Sequence, residues 1–439
     1  MMSEMRRAIW LGILAVLPVC AGCSSDPGEP MQKNTSVYFL DIGQDMASQA
    51  DDGPVGEDMD VNLADMVSED LSDAGVDLGD SPEDMTSMTD MGMLSSEARL
   101  KAWFADYNSG EGTSYLEEDY ETLSGGDPRY EGADAHTFMR GVAYGPHARN
   151  ELDAWLAQSQ SPTPVVVFVH GGGFRKGDKE TIHGASTAIP TFLSAGVSVI
   201  SISYRYAYSD PALALEATEP DSEGSDHNVN GARLDFILRD CARAVQFVRY
   251  RASDWNIDPD RIAIFGTSAG AGCSMWVGAV DDLADRAHED PVLRESTRVA
   301  AVGHLTGQPT YNFSRWPALL DMSAEFLSGI LDDEVQALAQ SEPETLSTSA
   351  EGKELSWVLD YYEHMSPGDP PFYTSNSNDD VAEEMNPDLS MVLHHPRAHV
   401  ALYRRCLELG LECEIETKIE SSGYQGSIFK FLVEEITKP

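Results

Sequence analysis

The chain has 439 residues, with 74 Asp and Glu against 29 Lys and Arg, a net charge of −45. Such acidity argues against a nucleic-acid partner, whose phosphates it repels, and against loose electrostatic docking on anionic lipid. An apolar content of 42% supports a packed core, so disorder of the whole chain is excluded.

The charge is unevenly spread. Residues 1–23 carry Arg6 and Arg7 against Glu4; residues 24–98 carry nineteen acidic residues against the single Lys33; the remaining −28 lies in residues 99–439. The basic pair, the apolar run from Ala8 to Val19 and the small residues after it have the pattern of an export signal, and the run is too short to span a bilayer. It ends in Ala21-Gly22-Cys23, which looks like a bacterial lipobox with Cys23 as the acylated residue; Cys20 is the alternative, and an ordinary cleaved signal is the plain reading. Acyl chains on Cys23 would anchor an exported protein at a membrane. Residues 24–96 follow as an acidic tether with few aromatics, in which Asp-Met recurs at 45–46, 58–59, 65–66, 84–85 and 90–91. A segment of this composition buries too little apolar area to offset chain entropy. Its irregular spacing and the lack of an EF-hand loop argue against a calcium site.

Beyond the tether, short β-branched runs at 165–170, 197–203, 261–265, 299–303, 372–375 and 414–419 read as buried strands. Helical patterns at 234–252, 397–409 and 427–436 lie among them. Alternating strands and helices imply an α/β fold, a parallel sheet covered on both faces. No glycine-rich dinucleotide fingerprint or P-loop follows a strand, so no nucleotide cofactor is expected. The four cysteines of this part, Cys241, Cys273, Cys406 and Cys413, have no zinc spacing, and no metal is expected. Their pairing is open; Cys241 and Cys273, both on helices, read as buried thiols.

Two motifs carry chemistry. Gly266-Thr267-Ser268-Ala269-Gly270 follows a strand and opens a helix, the context in which GxSxG forms a strained turn that lifts the serine hydroxyl over the sheet edge. His170-Gly171-Gly172-Gly173-Phe174 ends another strand, and its glycines let backbone N–H groups turn inward as an oxyanion loop. Gly172, Gly173 and Ala269 are the expected donors; Gly171 shapes the loop, and His170 reads as structural.

With Ser203-Tyr204-Arg205, Trp255 to Arg261 and Asp369-Pro-Pro-Phe372, these motifs resemble the α/β-hydrolases of the hormone-sensitive-lipase and carboxylesterase branch, nearest the bacterial feruloyl-esterase-like group. The resemblance covers roughly residues 138–437, within a single folded domain at 97–439. It implies an α/β-hydrolase fold with a mostly parallel eight-stranded sheet, no cofactor, and carboxylic-ester hydrolysis by Ser268 through an acyl-enzyme. Aromatic-rich segments 97–137 and 305–366 are expected to build the substrate face, as a helical cap or as ordinary core.

The family register puts the triad acid at Asp380, with Asp379 as alternate. Relatives place the histidine after the last strand, where this chain has Ser421-Ser422-Gly423-Tyr424, and no histidine follows His399. Two readings follow. In one, the base is His394 or His395, in the loop after the acid strand. In the other, Ser268 has no base and the chain is a catalytically impaired binding protein. The intact serine and glycine motifs favour the enzyme.

Overall fold

The computed structural model describes residues 94–108, 111–207 and 231–438. The expected export signal, Cys23 and nearly all of the acidic tether lie outside the described residues.

The strands, in chain order, are β1 Glu121–Leu123, β2 His136–Ala143, β3 Glu151–Ala157, β4 Thr163–Val169, β5 Ser198–Ile202, β6 Ile257–Thr267, β7 Ala301–Leu305, β8 Phe372–Asn376 and β9 Cys413–Thr417. They form one sheet in the order β1-β2-β3-β5-β4-β6-β7-β8-β9. From β5 to β9 every pairing is parallel, whereas β1, β2 and β3 pair antiparallel and β3 joins β5 antiparallel. Without the three-residue β1, this is the eight-stranded order of the α/β-hydrolase fold. The central register sets Val167 beside Ile200 on one side and Ile264 on the other.

The main helices are α1 Ser96–Trp103, α2 Ala188–Ser194, α3 Leu234–Tyr250, α4 Ala269–Ala279, α5 Trp316–Leu320, α6 Ala324–Ala339, α7 Pro343–Thr348, α8 Ala350–Val358, α9 Tyr361–His364, α10 Leu389–Leu393, α11 Pro396–Leu409 and α12 Ile428–Thr437. Successive strand residues point to opposite faces, so each buried strand feeds two cores. Val165, Val167 and Val169 join Ile262 and Ile264 against α3, α4 and α11. Val166 and Phe168 join Ala263 and Phe265 against α2 and α12, with Phe265, Phe192 and Phe429 packed edge to face or tilted.

A third cluster joins α5 and α6 to the base of α10 and α11 through Trp316, Leu327, Val335, Val392 and Ala398. Helices α5 and α6 lie within 305–366, one of the two aromatic segments expected to build the substrate face as a cap or as ordinary core. Arg175, just past the glycine loop, reaches α6 through an ion pair with the buried Glu334 at 2.8 Å. The other aromatic segment, 97–137, behaves as core: Leu100, Phe104, Tyr107 and Tyr115 pack into the layer of α3 and α4.

The expected strands all form, with ends shifted by a few residues. The three that sequence reading passed over are β1, β2 and β3. In β3 a fully buried acid, Asp153, interrupts the apolar run and accepts the Gly141 N–H at 2.8 Å, where the pairing with β2 shifts register. Burial raises its carboxyl to about 6. Cys406 and Cys413 form a disulfide joining the end of α11 to β9, while Cys241 and Cys273 are buried free thiols.

Candidate active site

Ser268 stands at the turn between β6 and α4 with φ 52° and ψ −120°, a conformation that costs a non-glycine residue on the order of 1–3 kcal/mol. Its neighbours are glycines because the backbones touch. A Cβ on Gly266 or Gly270 would overlap the Val169 carbonyl of β4, and one on Gly272 would overlap the Tyr311 hydroxyl. The Ser268 N–H donates to Leu305 O of β7 at 2.9 Å, which fixes the turn to the sheet. Ser268 is half-buried.

The glycine loop leaves the end of β4 and lies against this turn. A Cβ on Gly171 would come within 3.2 Å of Ser268 Cβ and 2.9 Å of Thr267 O. Gly172 and Gly173 have φ of 114° and 61°, and Phe174 follows at 59°. At Gly172 a side chain is also barred sterically, since its Cβ would overlap Lys176 O. Three successive residues with positive φ make a tight turn just past the end of β4. The N–H groups of Gly172 and Gly173, with that of Ala269 at the first residue of α4, are the donors expected for an oxyanion hole, where the α4 dipole would also act.

His170 braces this loop. Its ring stacks on Tyr204 at 4.1 Å, its Nδ1 bonds Gly171 O at 2.6 Å, and Tyr204 Oη donates to His170 O at 2.8 Å. Burial lowers its imidazole to about 3, so it is neutral and structural.

Of the two candidate histidines, the structure brings His394 to the serine, with Ser268 Oγ to His394 Nε2 at 2.8 Å. His394 is the residue after α10. Its Nδ1 lies 2.9 Å from Ser390 O, one turn back, and its main-chain N–H donates to the same oxygen at 3.0 Å. A carbonyl only accepts, so Nδ1 carries the proton and Nε2 is free to accept from the serine. Burial lowers the His394 imidazole below its ordinary value; the bond to Ser390 O and the charge of Asp388 pull the other way. It is therefore neutral at pH 7.

His395 is turned away. It caps α11, with Nδ1 accepting from Arg397 N at 3.3 Å and Nε2 donating to Val381 O at 3.1 Å. Asp380 also differs from expectation. Its carboxylate is held by Arg397, with Nε at 2.8 Å, and lies 3.5 Å from His395 Nε2. Asp379 pairs with Lys418 at 2.8 Å. Neither carboxylate bonds His394. Nearer to His394 are Asn376, the last residue of β8, and Asn378, just past it. Both donate from Nδ2 to the His394 carbonyl oxygen, at 3.0 and 2.9 Å. Sequence reading missed these asparagines because an amide clamping a backbone carbonyl leaves no motif. Tyr424 bonds Glu434 at 2.6 Å and packs beside Tyr373 and Phe431.

The arrangement unites a serine in a strained turn, a neutral imidazole of the accepting tautomer and a glycine loop packed against the serine. Among the described residues, no group of three His, Cys, Asp or Glu side chains is arranged to hold a metal.

The BD-FAE family model matches residues 152–216 and 228–380, which takes in the glycine loop and Ser268 and stops short of His394. Gut esterase 1 of Caenorhabditis briggsae is 34% identical over 108 residues, 25% of this chain and 17% of that protein. A probable isoprenylcysteine alpha-carbonyl methylesterase of Arabidopsis thaliana is 26% identical over 169 residues, 38% of this chain and 30% of that protein. The chain thus spans less than a third of the length of these curated relatives. Among solved structures, an acetyl ester-xyloside bifunctional hydrolase from Caldicellulosiruptor lactoaceticus is similar at 20% identity and a TM-score of 0.45, over 65% of this chain and 86% of that one.

Proposed function

We propose that this α/β-hydrolase-fold protein hydrolyses carboxylic esters, with Ser268 as nucleophile and His394 as general base. The observation that carries this reading is the 2.8 Å approach of His394 Nε2 to Ser268 Oγ, with Nδ1–H held by Ser390 O. Nε2 takes the hydroxyl proton as Oγ attacks the acyl carbon. The N–H groups of Gly172, Gly173 and Ala269 receive the oxyanion of the tetrahedral intermediate. His394 then returns the proton to the leaving alcohol, an acyl-enzyme remains, and a water activated by the same imidazole releases the acid. The Ser390 carbonyl fills the orienting place that a carboxylate takes in most serine triads. It fixes the tautomer but carries only a partial charge against the imidazolium formed during attack.

The similarity to esterases supports the reaction class, and the net negative charge favours neutral or cationic esters over anionic ones. The reading is tested by labelling with a fluorophosphonate probe and by turnover of short-chain nitrophenyl esters. Wild type should label at one residue and turn over, and Ser268→Ala should do neither. Equal labelling of both proteins would refute it and leave a binding role.

We further propose that the protein is exported and anchored through acylated Cys23, with residues 24–96 as a spacer. The export pattern of residues 1–23 supports this, and a Cys406–Cys413 disulfide suits an oxidising compartment. Incorporation of labelled fatty acid into wild type but not Cys23→Ala is the expected result; equal incorporation would refute it.

A further inference from the structure

A polar bridge connects the residue after the nucleophile to the residue before the base. The Tyr311 hydroxyl carries one proton, which it shares between Ala269 O at 3.0 Å and Gln308 Oε1 at 3.2 Å. The same Gln308 amide donates from Nε2 to Leu393 O at 3.0 Å. Ala269 follows Ser268 and Leu393 precedes His394, so two side chains connect the backbones of both reacting residues. Tyr311 and Gln308 are 2% and 5% exposed.

The loop that carries them, just past β7, is itself fixed. Thr306 takes φ 49° and donates its N–H to Ser375 O of β8 at 2.8 Å. Gln308 O accepts from Tyr361 Oη at 2.6 Å, and His304 Nε2 stands 3.1 Å away. Beneath it, Gly272 leaves room for the Tyr311 ring, because a Cβ there would overlap the hydroxyl.

We propose that Gln308, held by Tyr311, is the positioning residue of the Ser268–His394 pair. This rests on Ser268 and His394 being nucleophile and base. No carboxylate pins the imidazole; Ser390 O orients Nδ1, and where the ring then sits depends on the backbone of residues 393–394. Asn376 and Asn378 hold the His394 carbonyl from the β8 side, whereas Gln308 ties Leu393 to the α4 side, where the serine sits. A side-chain amide suits this position because one planar group must donate to a carbonyl and accept from a hydroxyl. An ionised glutamate cannot donate, and a methionine of similar shape can do neither. Reacting groups lose rate steeply when misplaced by an ångström or less.

The test compares wild type, Gln308→Met, Gln308→Glu, Tyr311→Phe and the Gln308→Met/Tyr311→Phe double variant. Turnover of a short-chain nitrophenyl ester and the NMR titration of His394, assigned against His394→Gln, are measured on each. Gln308→Met and Gln308→Glu should lower kcat by about 10- to 100-fold with KM within about twofold. Tyr311→Phe should cost less, and the double variant should fall short of the product of the singles, because the two residues act through one bridge. The His394 midpoint should move from its depressed position toward that of an exposed imidazole in both Gln308 variants. Unchanged kcat together with an unchanged midpoint would overturn the proposal. The titration separates the two claims: a midpoint that moves in a protein with no esterase turnover would refute the ester-hydrolase reading and retain the bridge. Melting temperatures identify a variant that merely unfolds; Tyr311→Phe, which removes one oxygen, keeps the test available in that case.

Discussion

Around Ser268, five consecutive residues from Gly266 to Gly270 supply both the strained turn and the nucleophile. Around His394, the same placement is assembled from separate segments: Ser390 from the preceding turn, Asn376 and Asn378 from the end of β8, and Gln308 from the loop after β7. The nucleophile side works through close backbone approach, in which each glycine removes a collision. The base side works through hydrogen bonds from neutral side chains to backbone carbonyls. The first arrangement tolerates almost no substitution; the second distributes its role over several bonds, each worth roughly 0.5–1.5 kcal/mol.

That contrast can be broken or sharpened by substitution. The largest effect is expected on the nucleophile side. Gly172→Ala puts a methyl group into Lys176 O at a φ of 114° and should lower kcat by about 10²–10³-fold, as loss of an oxyanion donor does. Steady-state kinetics on the purified variant would check it, and near-normal kcat would place the oxyanion elsewhere. On the base side, Asn376→Ala and Asn378→Ala should each lower kcat only several-fold, and the pair by more than the product, because either amide alone still holds the His394 carbonyl. A loss of about 10³-fold from one asparagine would erase the difference between the two sides.

The pH response distinguishes them more finely. His394 must be neutral to accept the serine proton, so kcat/KM should fall as pH drops through its pKa, with the acid limb centred below the ordinary imidazole value of 6.5. An acid limb above 6.5 would mean that a carboxylate supports the imidazole. Stability changes over the same range and must be measured alongside. His170 and His304 are fully buried with imidazoles near 3, while in the unfolded chain they take up protons near 6.5. The stability present above 6.5 should therefore decline as pH falls toward 3, by at most about 1.4 kcal/mol per pH unit for each.

Legibility follows the same division. GxSxG and HGGG could be read because adjacent residues determine the backbone path, and β4 and β5 could be read because both of their faces are buried, whereas β9 carries two glutamates and an exposed edge. Strand β3 was hidden by Asp153, whose single bond to Gly141 N only the β2 partner reveals. The absence of a histidine near Tyr424 pointed to His394 or His395, but the choice between neighbours depends on where each side chain points. His394 ends α10 and faces the serine; His395 starts α11 and caps it. Asp380 matched the acid by register, yet Arg397, in the first turn of α11, holds it instead. No local pattern encodes that competition, nor the use of a backbone carbonyl where an acid is expected.

In the proposed mechanism His394, oriented by Ser390 O and not by Asp380, activates Ser268. The most direct test is the second-order rate of fluorophosphonate labelling in wild type, His394→Ala and Asp380→Asn at pH 7.5. Asp380→Asn should label within about twofold of wild type, while His394→Ala should slow by about 10³-fold or more. A loss of that size in Asp380→Asn, or labelling at the wild-type rate in His394→Ala, would contradict this mechanism.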